Sequence, residues 1–360
     1  MERLRWFAPW TALLLMVAGV SFPAEAQDVK GGGGTLRVYF VDVEGGQATL
    51  FVTPAKQSLL IDTGWPGNEY RDANRIVAAA KKAGVKKIDY VLITHYHDDH
   101  VGGLPQLVER IPVGAVIDHG PNRELDKGNV ERNYDAYEKA IAAKKIKRIT
   151  AHPGDVLPII GMKATVVSAD GDLIKDPLEG GGQENQYCKD AEVRPTDETE
   201  NARSVGVQIV FGKLKLVDLG DLTSDKEMEL MCPANRLGTA DVLIVSHHGW
   251  NQSSSPALVD ALGAQAAIMD NGAKKGGSPG VVDTVMKAPG METLWQLHYS
   301  EEGGEEHNTA KQYIANPQGA DGNYLELIGS GDGSFNVVNP RTKEIRHYAA
   351  KPAQTAAPAQ

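Results

Sequence analysis

Thr94-His95-Tyr96-His97-Asp98-Asp99-His100-Val101-Gly102-Gly103 follows directly on the apolar run Ile88-Asp89-Tyr90-Val91-Leu92-Ile93. Such a run reads as a strand buried in a sheet, whose end projects side chains from a rigid edge. Four groups able to ligate a metal, His95, His97, Asp99 and His100, fall within six positions. His95 and His97 alternate on an extended exit, and Asp99 and His100 follow as the chain turns. Six residues cannot readily wrap four ligands around one ion, so the spacing suits two neighbouring cations. Imidazole and carboxylate with no thiolate close by favour Zn2+ or another borderline divalent metal. A lone histidine in a loop is usually solvated or structural; four ligands at this spacing point to a metal instead.

Outward from this segment, the N-terminus has the pattern of a secretory signal. Arg3 and Arg5 precede an apolar stretch over 11–20, and Ala24-Glu25-Ala26 offers an A-x-A cleavage site. The alternative, an uncleaved anchor, needs a longer span than about 10 apolar residues. The expectation is a secreted or periplasmic protein with a signal peptide over 1–26 and a Gly-rich lead-in over 27–35. One domain then covers 36–348, and an Ala/Pro/Gln-rich disordered tail covers 349–360. The net charge of -10 argues against a broad nucleic-acid-binding surface, without excluding a phosphodiester substrate served by metal cations. Nothing predicts membrane contact beyond export. Cys188 and Cys232 are the only cysteines, and an oxidising compartment permits, without requiring, a disulfide between them.

Strands are predicted over 36–43, 49–53 and 58–62, a helix over 70–83 closed by Gly84, then the ligand-bearing strand. Helices over 103–110 and 131–145 flank a strand over 113–118. A second series begins with strands over 156–160, 163–168, 204–211 and 213–218. It passes into strand-helix alternation over 242–298 and closes with strands near 324–328 and 334–338. Two halves of this kind suggest an α/β protein with mixed sheets packed together and helices outside. The aperiodic stretch 170–202 reads as a substrate-side lid.

Two further segments have the same chemistry. Leu216-Val217-Asp218-Leu219-Gly220-Asp221 ends a strand in Gly-Asp, and Asp241-Val242-Leu243-Ile244-Val245-Ser246-His247-His248-Gly249 delivers two histidines after an apolar strand. H-x-H-x-D-H at the end of a strand resembles the metallo-β-lactamase superfamily, and this resemblance implies an αββα sandwich and metal-dependent hydrolysis. It also implies that Asp221 bridges two metals, that His247 is the last ligand, and that Asp62, in Leu60-Ile61-Asp62-Thr63-Gly64, orients a metal-bound histidine. The implied sites are His95, His97 and Asp221 for one ion, and Asp99, His100, Asp221 and His247 for the other. Either histidine of the pair could ligate. Superfamily members commonly add a third histidine to the first ion, and here only His119 and His152 lie between His100 and Asp221. The first ion is therefore expected to be one ligand short.

With Asn201-Ala202-Arg203-Ser204 and Val41-Asp42-Val43, these motifs resemble the hydrolase domain of the competence protein ComEC and its stand-alone relatives. The sequence departs from that pattern at Glu44-Gly45-Gly46-Gln47 and at Gly277-Ser278-Pro279. The expected function is an exported dinuclear hydrolase, with Zn2+ the metal its ligand types favour, cleaving a small-molecule or other phosphodiester through a hydroxide between the metals. Candidates to protonate the leaving group are His248, His298 and His119. Hydrolysis of a lactam, lactone or other acyl bond, and a non-catalytic metal-binding protein, are the alternatives.

Overall fold

The computed structural model describes residues 34–352 apart from 126–127, 191, 193 and 320. The expected signal peptide lies outside the described residues, as do positions 353–360 of the expected tail. Residues 349–352 are not loose: the Lys351 ammonium donates to the carbonyl of Gly263 at 2.7 Å.

Period-two alternation explains the layers. In Leu36–Phe40, Leu36, Val38 and Phe40 enter one apolar cluster while Tyr39 enters another. Val242–Ile244 divides likewise, Val242 and Ile244 against Leu243. A strand apolar on both faces must be covered on both. The shared cluster, which includes Leu59, Ile61, Ile209, Leu216 and Trp295, lies between two sheets. Helices Arg71–Lys82 and Asn129–Lys144 cover the outer face of one sheet through Ile76 and Tyr137. Ser224–Met231, Pro256–Leu262 and Pro279–Lys287 cover the other through Leu230, Leu258 and Val282. The architecture is the αββα sandwich. Each fully buried Leu or Ile of the inner layer contributes about 1.5–3 kcal/mol relative to exposure.

The first sheet runs Glu344–Tyr348, Phe335–Asn339, Leu325–Gly329, Leu36–Phe40, Thr49–Val52, Ser58–Ile61, Ile88–Leu92, Val113–Asp118 and Lys147–Thr150. The second runs Ile314–Asn316, Thr293–His298, Ala266–Met269, Val242–Ile244, Leu214–Asp218, Gly206–Phe211, Lys163–Ala169 and Asp172–Leu173. Ser58–Ile61, Ile88–Leu92 and Val113–Asp118 are parallel, as are Leu214–Asp218, Val242–Ile244, Ala266–Met269 and Thr293–His298. Ligands collect at the carboxyl ends of parallel strands in open α/β sheets. Asp62, His95, Asp221, His247 and Asp270 all follow such ends here.

Some expectations require correction. The stretch 156–160 forms only a bridge from Val156 to Thr165. The helix expected over 103–110 is only the short turn Leu104–Leu107, and an unexpected turn before it, Asp98–Val101, already puts Asp99 and His100 on helical backbone. The stretch 170–202 is fastened rather than free. Cys188 and Cys232 form a disulfide to the end of helix Ser224–Met231, and Gln183–Glu184 pairs with Ala234–Asn235. At its far end, buried Glu200 lies 2.9 Å from His119 Nε2 and accepts the Arg123 amide at 2.8 Å.

Candidate metal centre

Three chain segments meet in one buried cluster. His95 and His100 are fully buried, Asp99, Asp221, His247 and His248 nearly so. Asp221 arrives through Gly220, whose φ is 57° and where a Cβ would lie 2.8 Å from Thr94 Cβ. That close approach brings the second sheet onto the first ligand segment. His247 and His248 both hold left-handed backbone, φ 55° each. Two consecutive residues of that kind cost about 1–3 kcal/mol apiece, and such strain persists only where the surroundings enforce it.

The ligand atoms of Asp99, His100, Asp221 and His248 lie within 4.8 Å of one another. His248 Nε2 is 3.0 Å from Asp99 Oδ2, 3.5 Å from Asp221 Oδ1 and 3.2 Å from His100 Nε2. His100 Nε2 is 3.2 Å from both Asp99 Oδ2 and Asp221 Oδ2. A second set surrounds the same Asp221 Oδ2, with His247 Nε2 at 3.4 Å and His95 Nε2 at 3.9 Å. His97 Nδ1 is 3.1 Å from His95 Nε2.

Five imidazoles share one arrangement: one ring nitrogen meets an oxygen of a positioning group and the other faces the cluster. Asp62 Oδ2 lies 2.7 Å from His100 Nδ1 and accepts the Thr94 hydroxyl, while Asp62 Oδ1 accepts the Thr94 amide. Glu124 Oε2 lies 3.1 Å from His97 Nε2, Asp270 Oδ1 3.3 Å from His248 Nδ1, Ser253 Oγ 3.3 Å from His247 Nδ1, and Thr94 Oγ1 3.0 Å from His95 Nδ1. Outer partners of this kind fix the tautomer and orientation of metal-binding histidines. Nitrogen facing nitrogen at 3.1–3.2 Å is awkward for imidazoles alone and natural around a shared cation. Buried Asp221 Oδ1 has no hydrogen-bond partner among the described residues, as a carboxylate reserved for a cation would have. Burial pushes His95 well below the usual histidine value and His247 down to about 4, so both present a neutral lone pair at pH 7. The residues fit two divalent ions.

The structure divides the expected set differently. His248, expected to face the substrate or to stand behind the ligands, turns Nε2 to Asp99 and His100, where His247 was expected, and Nδ1 to Asp270. His247 stands instead beside Asp221 Oδ2 with His95. His298 is not brought to the cluster: its Nε2 lies 2.7 Å from Asp42 Oδ1, so its role as proton donor to a leaving group is withdrawn. His119 turns to Glu200, and His152 is exposed on a turn. The sequence reading missed Glu124, Asp270, Ser253 and Lys275. Asp270 and Lys275 carry the signal of the other segments, polar residues just after the apolar strand Ala266–Met269.

A family model described as the metallo-β-lactamase superfamily matches residues 41–173. The chain carries a metallo-β-lactamase superfamily domain. It is 24% identical over 265 residues to competence protein ComA of Neisseria gonorrhoeae, covering 73% of this chain and 30% of that protein. It is also 24% identical over 254 residues to ComE operon protein 3 of Bacillus subtilis (strain 168), covering 65% of this chain and 28% of that protein. The chain thus spans less than a third of the length of either relative. The crystal structure of the metallo-β-lactamase fold protein YhfI from Bacillus subtilis superposes with a TM-score of 0.45 at 15% identity, over 73% of this chain and 96% of that one. Within this chain the metallo-β-lactamase domain carries a candidate dinuclear metal site.

One cation of the protein itself stands at the centre. The Lys275 ammonium is hydrogen-bonded and ion-paired to Asp99 Oδ2, 4.9 Å from the Trp65 ring centroid and 5.5 Å from that of Trp250.

Proposed function

We propose that the protein is an exported phosphodiesterase working with two divalent cations, Zn2+ by ligand chemistry. His95, His97, His247 and Asp221 would hold one ion, and Asp99, His100, His248 and Asp221 the other. The observation that carries the metal reading is the shared arrangement of five imidazoles, each oriented from behind: those of His95, His100, His247 and His248 are buried and face Asp221 or Asp99, and that of His97 faces His95. Two such cations would acidify water toward neutrality and stabilise the negative charge that develops on the scissile group. The protein's own contribution is rigidity: Asp62 and Asp270 hold His100 and His248 at fixed tilt, and Glu124 does so for His97.

The phosphodiester preference is supported by Lys275 beside Trp65 and Trp250, a cation and two aromatic faces at the centre. These suit an anionic phosphoryl group bearing an organic substituent better than a neutral acyl bond. The similarity to two competence proteins is in keeping with that reading. A net charge of -10 favours small phosphodiesters over long polyanions. Export is supported by the pattern of the first 26 residues and by the Cys188–Cys232 disulfide, a bond typical of oxidising compartments. The test compares bis-p-nitrophenyl phosphate, a chromogenic cephalosporin and a lactone on Zn2+-loaded protein. Faster turnover of the phosphodiester is expected. Preference for either acyl substrate overturns the phosphodiester assignment, and failure to bind Zn2+ overturns the metal one.

A further inference from the structure

Residues 271–278 carry Lys275 into the centre on a backbone that has little freedom. The Asn271 side-chain Nδ2 donates to the His298 carbonyl at 2.8 Å, Gly272 N to the Lys275 carbonyl at 2.8 Å, and Gly277 N to the His248 carbonyl at 2.9 Å. At Gly276, φ is 78° and a Cβ would lie 2.1 Å from the His248 carbonyl oxygen. Only glycine lets this turn close on the histidine segment. The side chain so delivered ends on Asp99 Oδ2, the atom that also lies 3.2 Å from His100 Nε2 and 3.0 Å from His248 Nε2.

We propose that Lys275 is the resident counter-ion of the Asp99–His100–His248 position, so that a metal ion enters there by displacing the ammonium. The inference rests on the two-cation reading of the centre and is independent of the substrate. An ammonium offers three donors and no lone pair. It cannot ligate a metal, and it cannot keep its place on Asp99 Oδ2 once a divalent cation binds that oxygen, because like charges at contact repel. The two indoles provide its destination: their faces already flank the ammonium, and a lysine on a four-carbon stem can swing along them without losing attractive contact. The other set, His95 and His247 around Asp221 Oδ2 with His97 against His95, has no lysine or arginine hydrogen-bonded to it among the described residues. The two positions therefore differ in kind. One fills by simple binding, the other by exchange, and the second is the weaker.

The experiment titrates chelator-stripped full-length protein with Zn2+ in a calorimeter, using wild type, Lys275→Gln and Lys275→Arg. Circular dichroism of the Zn2+-loaded proteins verifies the fold. Wild type should show two unequal dissociation constants. Lys275→Gln should tighten the second by at least about tenfold and leave the first unchanged, while Lys275→Arg, which keeps the charge, should retain the weak second step. Without metal, Lys275→Gln should melt below wild type, since Asp99 loses its partner, and the gap should close on loading. Equal second constants in wild type and Lys275→Gln overturn the exchange alone. Failure of both to bind a second ion overturns the two-cation reading and the exchange with it.

Discussion

Two clusters in this molecule are built from the same ligand chemistry and differ in the cation that balances them. Asp99, His100, Asp221 and His248 form one; Asp42, Glu44 and His298 form the other, again with ligand atoms within 4.8 Å. In the second, Arg75 Nη1 lies 3.1 Å from both Asp42 Oδ2 and Glu44 Oε1. A guanidinium is always charged, holds carboxylates in a planar fork and does not readily leave. In the first the balancing group is an ammonium on a flexible stem. The lesson is that acid-histidine proximity alone does not mark a metal site. Asp42 and His298 latch the first sheet to the second, whereas the Asp221 cluster is reserved for an exchangeable ion.

Breaking either cluster should separate these roles. The largest effect is expected for Asp221→Ala: Zn2+ content falling toward zero by elemental analysis and turnover dropping by about a thousandfold or more. Asp42→Ala, by contrast, removes one partner of a buried pair and should cost about 3–5 kcal/mol in urea unfolding, with two ions per chain retained. Burial alone would raise the Asp42 carboxyl, but the His298 hydrogen bond and charge and then Arg75 hold it below its ordinary value of 3.8. A carboxyl depressed on folding adds stability that is full above the unfolded value and is lost as pH falls through the folded one. Wild type should therefore lose this share only in acid below about pH 4, and Asp42→Asn should flatten that limb of the stability profile.

Asp62→Ala sharpens the metal side. His100 keeps its Nε2 but loses the carboxylate that aims it, so Zn2+ affinity should weaken about 10–100-fold while the fold stays cooperative. A pH-dependent effect concerns Asp218, where burial pushes the carboxyl up to about 7 against the Gln47 hydrogen bond. An acid raised on folding penalises the native state progressively between about pH 4 and 7. Metal-free Asp218→Asn should remove that slope, at most about 1.4 kcal/mol per pH unit, from chemical denaturation series.

Much of this was legible in the chain, for identifiable reasons. A strand apolar on both faces has a recognisable composition, and a polar group just past its end has few places to go. That logic located the segment from His95 to His100, while the roles of Asp62 and Asp221 came from the resemblance to the superfamily. It failed at His247 and His248, because two successive left-handed residues obey neither the helical nor the extended period. It failed at His298, whose partner Asp42 is 256 positions away. The edge strands Lys147–Thr150 and Glu344–Tyr348 escaped notice because Lys147, Arg148, Glu344 and Arg346 interrupt them. Charges of this kind protect exposed sheet edges and blur their sequence signal.

All the chemistry enters from one rim of the sandwich, while the interdigitated side chains between the sheets take no part in it. Within the rim loops 65–70, 120–125 and 271–278, Trp65, Glu124, Lys275 and Gly276 are tied to the centre, so diversity is left to the remaining positions. Selection acting on those remaining positions has a route to new substrates that leaves the ligands and the groups behind them in place.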